Sequence, residues 1–265
     1  MHSLNRFGAV VAALLLASCA SPTTTPVTRD GATIERTDRE FDIANGVTRI
    51  AIDNPWGEIN VRGRDEREVG IHAVIQRLPP KFPNIELRSR RDGDTLRIDV
   101  VASADAGVRA DIAVYVPNDL ALALSTREAR IAAKRRAGAI EARTTSGEIQ
   151  ASSLGRLDLR SDTGQIRATA IGKRWQGASE IVTDSGRIVL LVPTFGDIAL
   201  EAETGGKLST GFGLSVHALP NGRSEAHARY GAGLSPLRAQ SAHGEIVLEQ
   251  LVLLGDDTDL PEDDD

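Results

Sequence analysis

The chain is short of cysteine, of aromatic rings and of lysine, and each shortage removes a class of protein. Cys19 is the single cysteine among 265 residues. No disulfide can therefore form within the chain, and stability must come from packing and hydrogen bonds. Aromatic residues make up 3%. A core without Phe, Tyr and Trp has to be filled by Ile, Leu, Val and Ala, which regular repeats manage more readily than globular enzymes do. The basic residues are 27 Arg and four Lys, scattered along the chain, against 37 acids and a net charge of −6. With no basic cluster and few rings to stack on bases, nucleic acid is not an expected partner. The histidines at His72, His217, His227 and His243 share no metal-ligand spacing. No phosphate-cradling loop or nucleophile elbow occurs either, so neither metal nor cofactor is expected.

What is present begins at the N-terminus, MHSLNRFGAVVAALLLASCA. Arg6 precedes a short apolar stretch over residues 7–16, about half the ~20 residues a membrane-spanning helix needs. That length and the small residues after it suit a cleaved export signal. The segment Leu16-Ala17-Ser18-Cys19 resembles the lipobox of bacterial lipoproteins. The resemblance implies cleavage after Ser18, a diacylglyceryl group on the Cys19 thiol and acylation of the new amine. A plain signal peptide with a chance cysteine is the alternative. Several acyl chains anchor stably where one is marginal. Ala20, rather than Asp, implies sorting to the outer membrane of a Gram-negative cell, on the periplasmic side. Ser21-Pro22-Thr23-Thr24-Thr25-Pro26 has nothing to bury and reads as part of a spacer.

Beyond the spacer a corner pattern recurs: hydroxyl or acid residues, then Gly, any residue, then Ile or Leu. It appears as Thr144-Thr145-Ser146-Gly147-Glu148-Ile149, Ser161-Asp162-Thr163-Gly164-Gln165-Ile166 and Thr183-Asp184-Ser185-Gly186-Arg187-Ile188. A variant is Glu203-Thr204-Gly205-Gly206-Lys207-Leu208, and the last is Ser241-Ala242-His243-Gly244-Glu245-Ile246. Trp56-Gly57-Glu58-Ile59 is an earlier relative. The five later glycines are spaced 17, 22, 20 and 38 residues apart, and 38 is close to two repeats. Between corners the residues alternate, as in Leu157-Asp158-Leu159-Arg160, placing apolar members on one face.

One such unit cannot bury its apolar face alone; stacked units bury a continuous column. The expected fold is all-β, a right-handed parallel β-helix or β-solenoid with coils ~4.8 Å apart. Glycine at each corner is expected to supply a backbone conformation unfavourable to residues with a Cβ. An antiparallel sandwich also alternates, but a recurring corner favours the stack. The predicted organisation is a signal peptide at 1–18, lipidated Cys and flexible spacer at 19–44, and a β-rich N-terminal cap at 45–125. Coils follow over 126–254. An acidic tail occupies 255–265, where seven of the last ten residues carry negative charge and stay solvated. Within the N-terminal part, strands are expected near 48–52, 59–61, 69–75, 96–101 and 111–116. Lys134-Arg135-Arg136 reads as a solvated loop.

Asp53-Asn54-Pro55-Trp56-Gly57-Glu58-Ile59-Asn60-Val61, followed by serial Ser/Thr-x-Ser/Thr-Gly-x-Ile corners, resembles the putative-adhesin family of bacterial envelope proteins. The resemblance spans roughly residues 45–250. It implies a β-solenoid related to the adhesin-head type, an envelope location and no catalytic residues to carry over. Thr126-Arg127-Glu128-Ala129-Arg130-Ile131 departs from the pattern, with Ala129 in the corner place. The favoured function is a membrane-anchored, non-enzymatic module that presents a β-solenoid surface to an envelope protein or glycan, with self-association through the coil ends left open. The competing reading is a polysaccharide-active β-helix enzyme using Asp162 and Asp184. These occupy the same place in consecutive corners and would lie ~5 Å apart, near the spacing in retaining glycosidases.

Overall fold

Period-two alternation builds strands, and among the described residues the chain is strands, turns and loops without a helix. The computed structural model describes residues 27–29, 31–43, 45–80, 82–103 and 107–252. The N-terminal strands are β1 (Val27–Arg29), β2 (Ala32–Asp42), β3 (Arg49–Asp53), β4 (Ile59–Arg64), β5 (Glu68–Arg77), β6 (Ile85–Asp92), β7 (Thr95–Ala102) and β8 (Val108–Pro117). A regular run follows with β9 (Ala121–Ser125), β10 (Ile131–Arg136), β11 (Ile140–Thr144), β12 (Ile149–Ser153), β13 (Leu157–Ser161), β14 (Ile166–Ala170), β15 (Ser179–Thr183) and β16 (Ile188–Pro193). The last are β17 (Ile198–Thr204), β18 (Leu208–Thr210), β19 (His217–Ala218), β20 (Ser224–Tyr230), β21 (Ser235–Ser241) and β22 (Ile246–Leu251).

These strands form two large, mostly parallel sheets of 11 strands each. From β9 to β16 consecutive strands alternate between the sheets, and each of β9 to β14 pairs in parallel with the strand two places on. Parallel register sets like on like. In the first sheet Ile131, Ile149, Ile166, Ile188, Ile246 and Leu208 form one inward row. In the second sheet Ile52, Leu124, Ala142, Leu159, Ile181, Ala239 and Ala202 form another. Both rows are buried in one continuous core. Burying each large aliphatic chain contributes roughly 1.5–3 kcal/mol, so the core needs few rings; Trp175 is the one aromatic buried in it among the described residues. The regions expected as strands in the N-terminal part are strands, within β3, β4, β5, β7 and β8.

Three expectations change. The stretch 19–44 is not all spacer, because β1 and β2 lie in it and β2 pairs antiparallel with β5 over ten residue pairs. Strand β2 presents a mostly polar row of side chains, a face the corner pattern does not reveal. The stack also does not follow chain order at its ends. Strands β21 and β22 insert between earlier neighbours, so the first sheet reads β16-β22-β18 and the second β15-β21-β17. At the other end β3 and β4 sit inside the stack, flanked by β7 and β9 and by β8 and β10. Antiparallel strands, β5, β2, β6 and β20, lie towards the ends.

The third change concerns Lys134-Arg135-Arg136, which is strand rather than loop. The β10–β12 ladder shifts register between Ala133 and Arg136, and Arg135 takes a positive φ of 55°. The extra residue turns Arg136 inward, as β-bulges re-aim side chains. Arg136 is 1% exposed. Its guanidinium donates to the carbonyls of Val116, at 3.3 Å, and Pro117, at the end of β8. Burial lowers its pKa to about 10, opposed by the charge of Asp119. Replacing Arg136 with Ala orphans both carbonyls and empties the site. Urea unfolding of the R136A protein is expected to show a loss of about 3 kcal/mol; an unchanged midpoint would refute this role.

Candidate functional site

The corner residues come together in one column. A Cβ built on Gly164 would lie 2.0 Å from the Gly147 carbonyl oxygen. On Gly186 it would meet Gly164 O at 2.0 Å, and on Gly244 it would meet Gly186 O at 1.9 Å. Gly206 faces Gly244 O in the same way, at 2.5 Å, and Gly57 faces Ala110 O at 2.1 Å. None of the six has a positive φ, so the expected conformational reason for glycine is corrected. Glycine is required because each rung's backbone packs against the next rung's α-carbon.

Hydroxyl side chains fasten the column. Thr144 Oγ1 accepts from Gly147 N (3.0 Å) and donates to Arg127 O (2.9 Å) on the neighbouring rung. Thr183 Oγ1 accepts from Gly186 N (3.0 Å) and donates to Asp162 O (3.2 Å). Ser161 and Ser241 accept from Gly164 N and Gly244 N at 2.8 Å each. Thr204 accepts from Gly206 N (2.9 Å) and donates to Gly244 O (2.6 Å). All five hydroxyl residues are buried. Each contributes two hydrogen bonds that polar groups away from water require.

Asp162 and Asp184 stand on consecutive rungs, as Asp184 N and Ser185 N both donate to Asp162 O at 3.0 Å. Their side chains are exposed on the outside of the corner. Among the described residues neither carboxylate takes part in a hydrogen bond or ion pair, so they do not accept the turn amides; the neighbouring hydroxyls do. Neither lines any of the three cavities below. His243 is exposed in the next rung. Cys19 and the acidic tail fall outside the described residues.

Sequence reasoning missed the cavities. The largest of the three, about 690 Å³, is an open trough on the outer face of the second sheet. Ala51, Ala123 and Ser125 are in register across β3 and β9 and give it a floor of small side chains. Over that floor Arg49 of β3 pairs with Glu141 of β11, which also holds Arg143 at 2.9 Å. At the rim Asp94 accepts from Thr48 Oγ1 (2.7 Å) and Thr95 Oγ1, and these bonds hold its carboxyl below the usual range. A third cavity, about 550 Å³, lies further along this sheet beside the Glu201–Arg238 pair at 3.2 Å. Period-two patterning gives the outward residues of each strand, but which strands become neighbours depends on the out-of-order stacking.

The second cavity, about 430 Å³, opens where the corner pattern departs from rule. Ala129 does occupy the column, since a Cβ on Gly147 would lie 1.8 Å from its carbonyl oxygen. The register therefore holds there. Next to it Asn54, fully buried, shapes the preceding corner by accepting from Trp56 N (3.3 Å) and donating to Ala110 O (2.7 Å). The Arg127 guanidinium lies 4.9 Å from the centroid of the Trp56 ring, a cation–π contact. Ala129 was the signal in the sequence that could have found this cleft.

The fold resembles that of a protein from Clostridium sporogenes described as a putative cell adhesion protein, with a TM-score of 0.51 and 12% identity, over 82% of this chain and 100% of that one. A putative adhesin from Bacteroides fragilis aligns over 82% of this chain and 97% of its own at 9% identity and a TM-score of 0.30. The likeness is one of fold, and the first comparison carries it. No family model and no curated protein matches the chain.

Two substitutions separate packing from chemistry at the corners. Gly164→Ala forces the rungs apart and is expected to cost about 3 kcal/mol in urea unfolding. Asp184→Asn, on an exposed side chain, is expected to fall within about 0.5 kcal/mol of wild type. Equal effects would disprove the assignment of the column to backbone contact.

Proposed function

We propose that the protein is a lipid-anchored, non-enzymatic module of the bacterial envelope whose right-handed β-solenoid presents a long polar surface to a partner protein or glycan. The observation that carries this reading is the setting of the acidic pair that repeats on consecutive corners. Asp162 and Asp184 project from an exposed corner and line none of the three cavities, whereas a catalytic pair needs a concave, water-excluding site. The first and third cavities are open and walled by paired charges, which suits recognition of another polar surface. Two sheets built on one column give a rigid support for such a face.

The anchor rests on Leu16-Ala17-Ser18-Cys19 and the outer-membrane destination on Ala20. The name of the Clostridium sporogenes protein of similar fold, a putative cell adhesion protein, agrees with a role at a cell surface. In a mature lipoprotein the spacer and β1–β2 would join lipid to stack, setting the binding face off the membrane.

Growth with radiolabelled palmitate tests the anchor: the wild-type chain is expected to carry label and partition into detergent, and Cys19→Ala to lose both. Label retained by C19A would sink it. For the module itself, the D162N/D184N double variant is expected to bind isolated envelope fractions as wild type does. Turnover of envelope polysaccharide by wild type that disappears in the double variant would replace this reading with the enzymatic one.

A further inference from the structure

In the regular rungs one corner carbonyl receives two successive amides from the rung stacked on it. Arg127 O accepts from Thr145 N (2.9 Å) and Ser146 N (3.1 Å), and Thr145 O accepts from Asp162 N (3.1 Å) and Thr163 N (2.9 Å). Asp162 O accepts from Asp184 N and Ser185 N in turn. One step earlier the same register sets Pro55 O opposite the amides of Arg127 and Glu128. There the bonds are missing: among the described residues neither amide has a partner. The amide of Ala129 also lacks the hydroxyl that clips the glycine amides elsewhere, because Thr126 Oγ1 donates instead to Gly57 O at 3.2 Å. The rung opens where Trp56 and Arg127 stack against each other.

The result is a cleft of about 430 Å³ lined by three successive residues whose backbone N–H groups donate to no acceptor among the described residues. Arg127 and Glu128 are exposed and Ala129 is half-buried, so these three N–H groups are open to a ligand, and successive N–H groups in a turn can hold anions. The charge nearby has the right sign. The Arg127 guanidinium rests on the indole and pairs with no carboxylate among the described residues. Arg109 lines the opposite wall, already engaged by Asp111 (2.7 Å) and Glu58 (3.3 Å). Glu128 at the mouth opposes an anion and sets an upper limit on affinity.

We infer that this cleft is an anion-binding site, taking a carboxylate or phosphate group on the amides of Arg127, Glu128 and Ala129 with the Arg127 guanidinium as its counter-charge. An oxyanion there completes the rung that Pro55 leaves open. The site goes beyond the envelope reading, because it belongs to the folded chain whether or not Cys19 is lipidated. Its ligand class is an acidic group small enough to enter a corner, such as a uronate carboxylate or a phosphoryl substituent.

The test is an amide-resolved NMR titration of the full chain, at constant ionic strength, with inorganic phosphate and separately with sodium galacturonate. Saturable shifts confined to the amides of Arg127, Glu128 and Ala129 and to the Trp56 indole are expected with at least one anion. A response to phosphate alone assigns the phosphoryl source, and a response to galacturonate alone the acidic-glycan source. In Arg127→Ala, whose exposed side chain leaves the remaining spectrum in place, affinity is expected to fall about tenfold, the loss of one charge-assisted contact. Glu128→Gln is expected to bind several-fold more tightly, by removal of a like charge. Amides that move with neither anion, or an R127A affinity equal to wild type, would overturn the inference.

Discussion

The contact on which everything else depends is the approach of one rung's corner carbonyl to the α-carbon of the next. At Gly164, Gly186 and Gly244 that carbonyl lies about where a side chain would begin. Close corners allow the parallel ladders on both sides to keep a single register, and that register sets isoleucine over isoleucine in the core. The buried hydroxyls of Thr144, Ser161, Thr183, Thr204 and Ser241 meet the remaining demand for hydrogen bonds. A chain with few rings and no internal disulfide is thus held by many small, identical contacts.

The same economy shapes the surface. Because parallel register repeats charge as faithfully as it repeats apolar side chains, the outer face of the second sheet carries rows of ion pairs such as Arg160–Glu180 and Arg238–Glu201. Each exposed pair contributes little to stability. Their effect is to fix the orientation of long side chains across neighbouring strands, leaving a patterned face rather than a mobile one. Where small residues interrupt the rows, at Ala51 and Ala123, the face dips into the trough.

Much of this was legible in the sequence. The Ser/Thr-x-x-Gly corners and the alternation between them specify strand, turn and inward row, and the structure has all three. The reason for the glycines was not legible, since a tight turn and a close neighbour both exclude a Cβ and leave the same letter. Arg136 was misread because nothing local distinguishes a surface arginine from one that a bulge turns inward. Strands β1 and β2 were hidden by their polar composition, 32–42 carrying charges that a spacer would also carry. The anomaly at Ala129 was visible as a broken pattern, but its consequence required knowing which corner lies beneath it.

The threading at the C-terminal end carries a consequence for how the molecule is made. Strands β15 and β17 do not touch each other in the ladder; β21 lies between them, and β22 likewise separates β16 from β18. Strands β21 and β22 thus fill a place one strand wide in each sheet, between strands that all precede them in the chain. Assembly cannot finish progressively from one end as in a simple array. Strands β21 and β22 act as a keystone, and their loss would disable the fold far more than their length suggests.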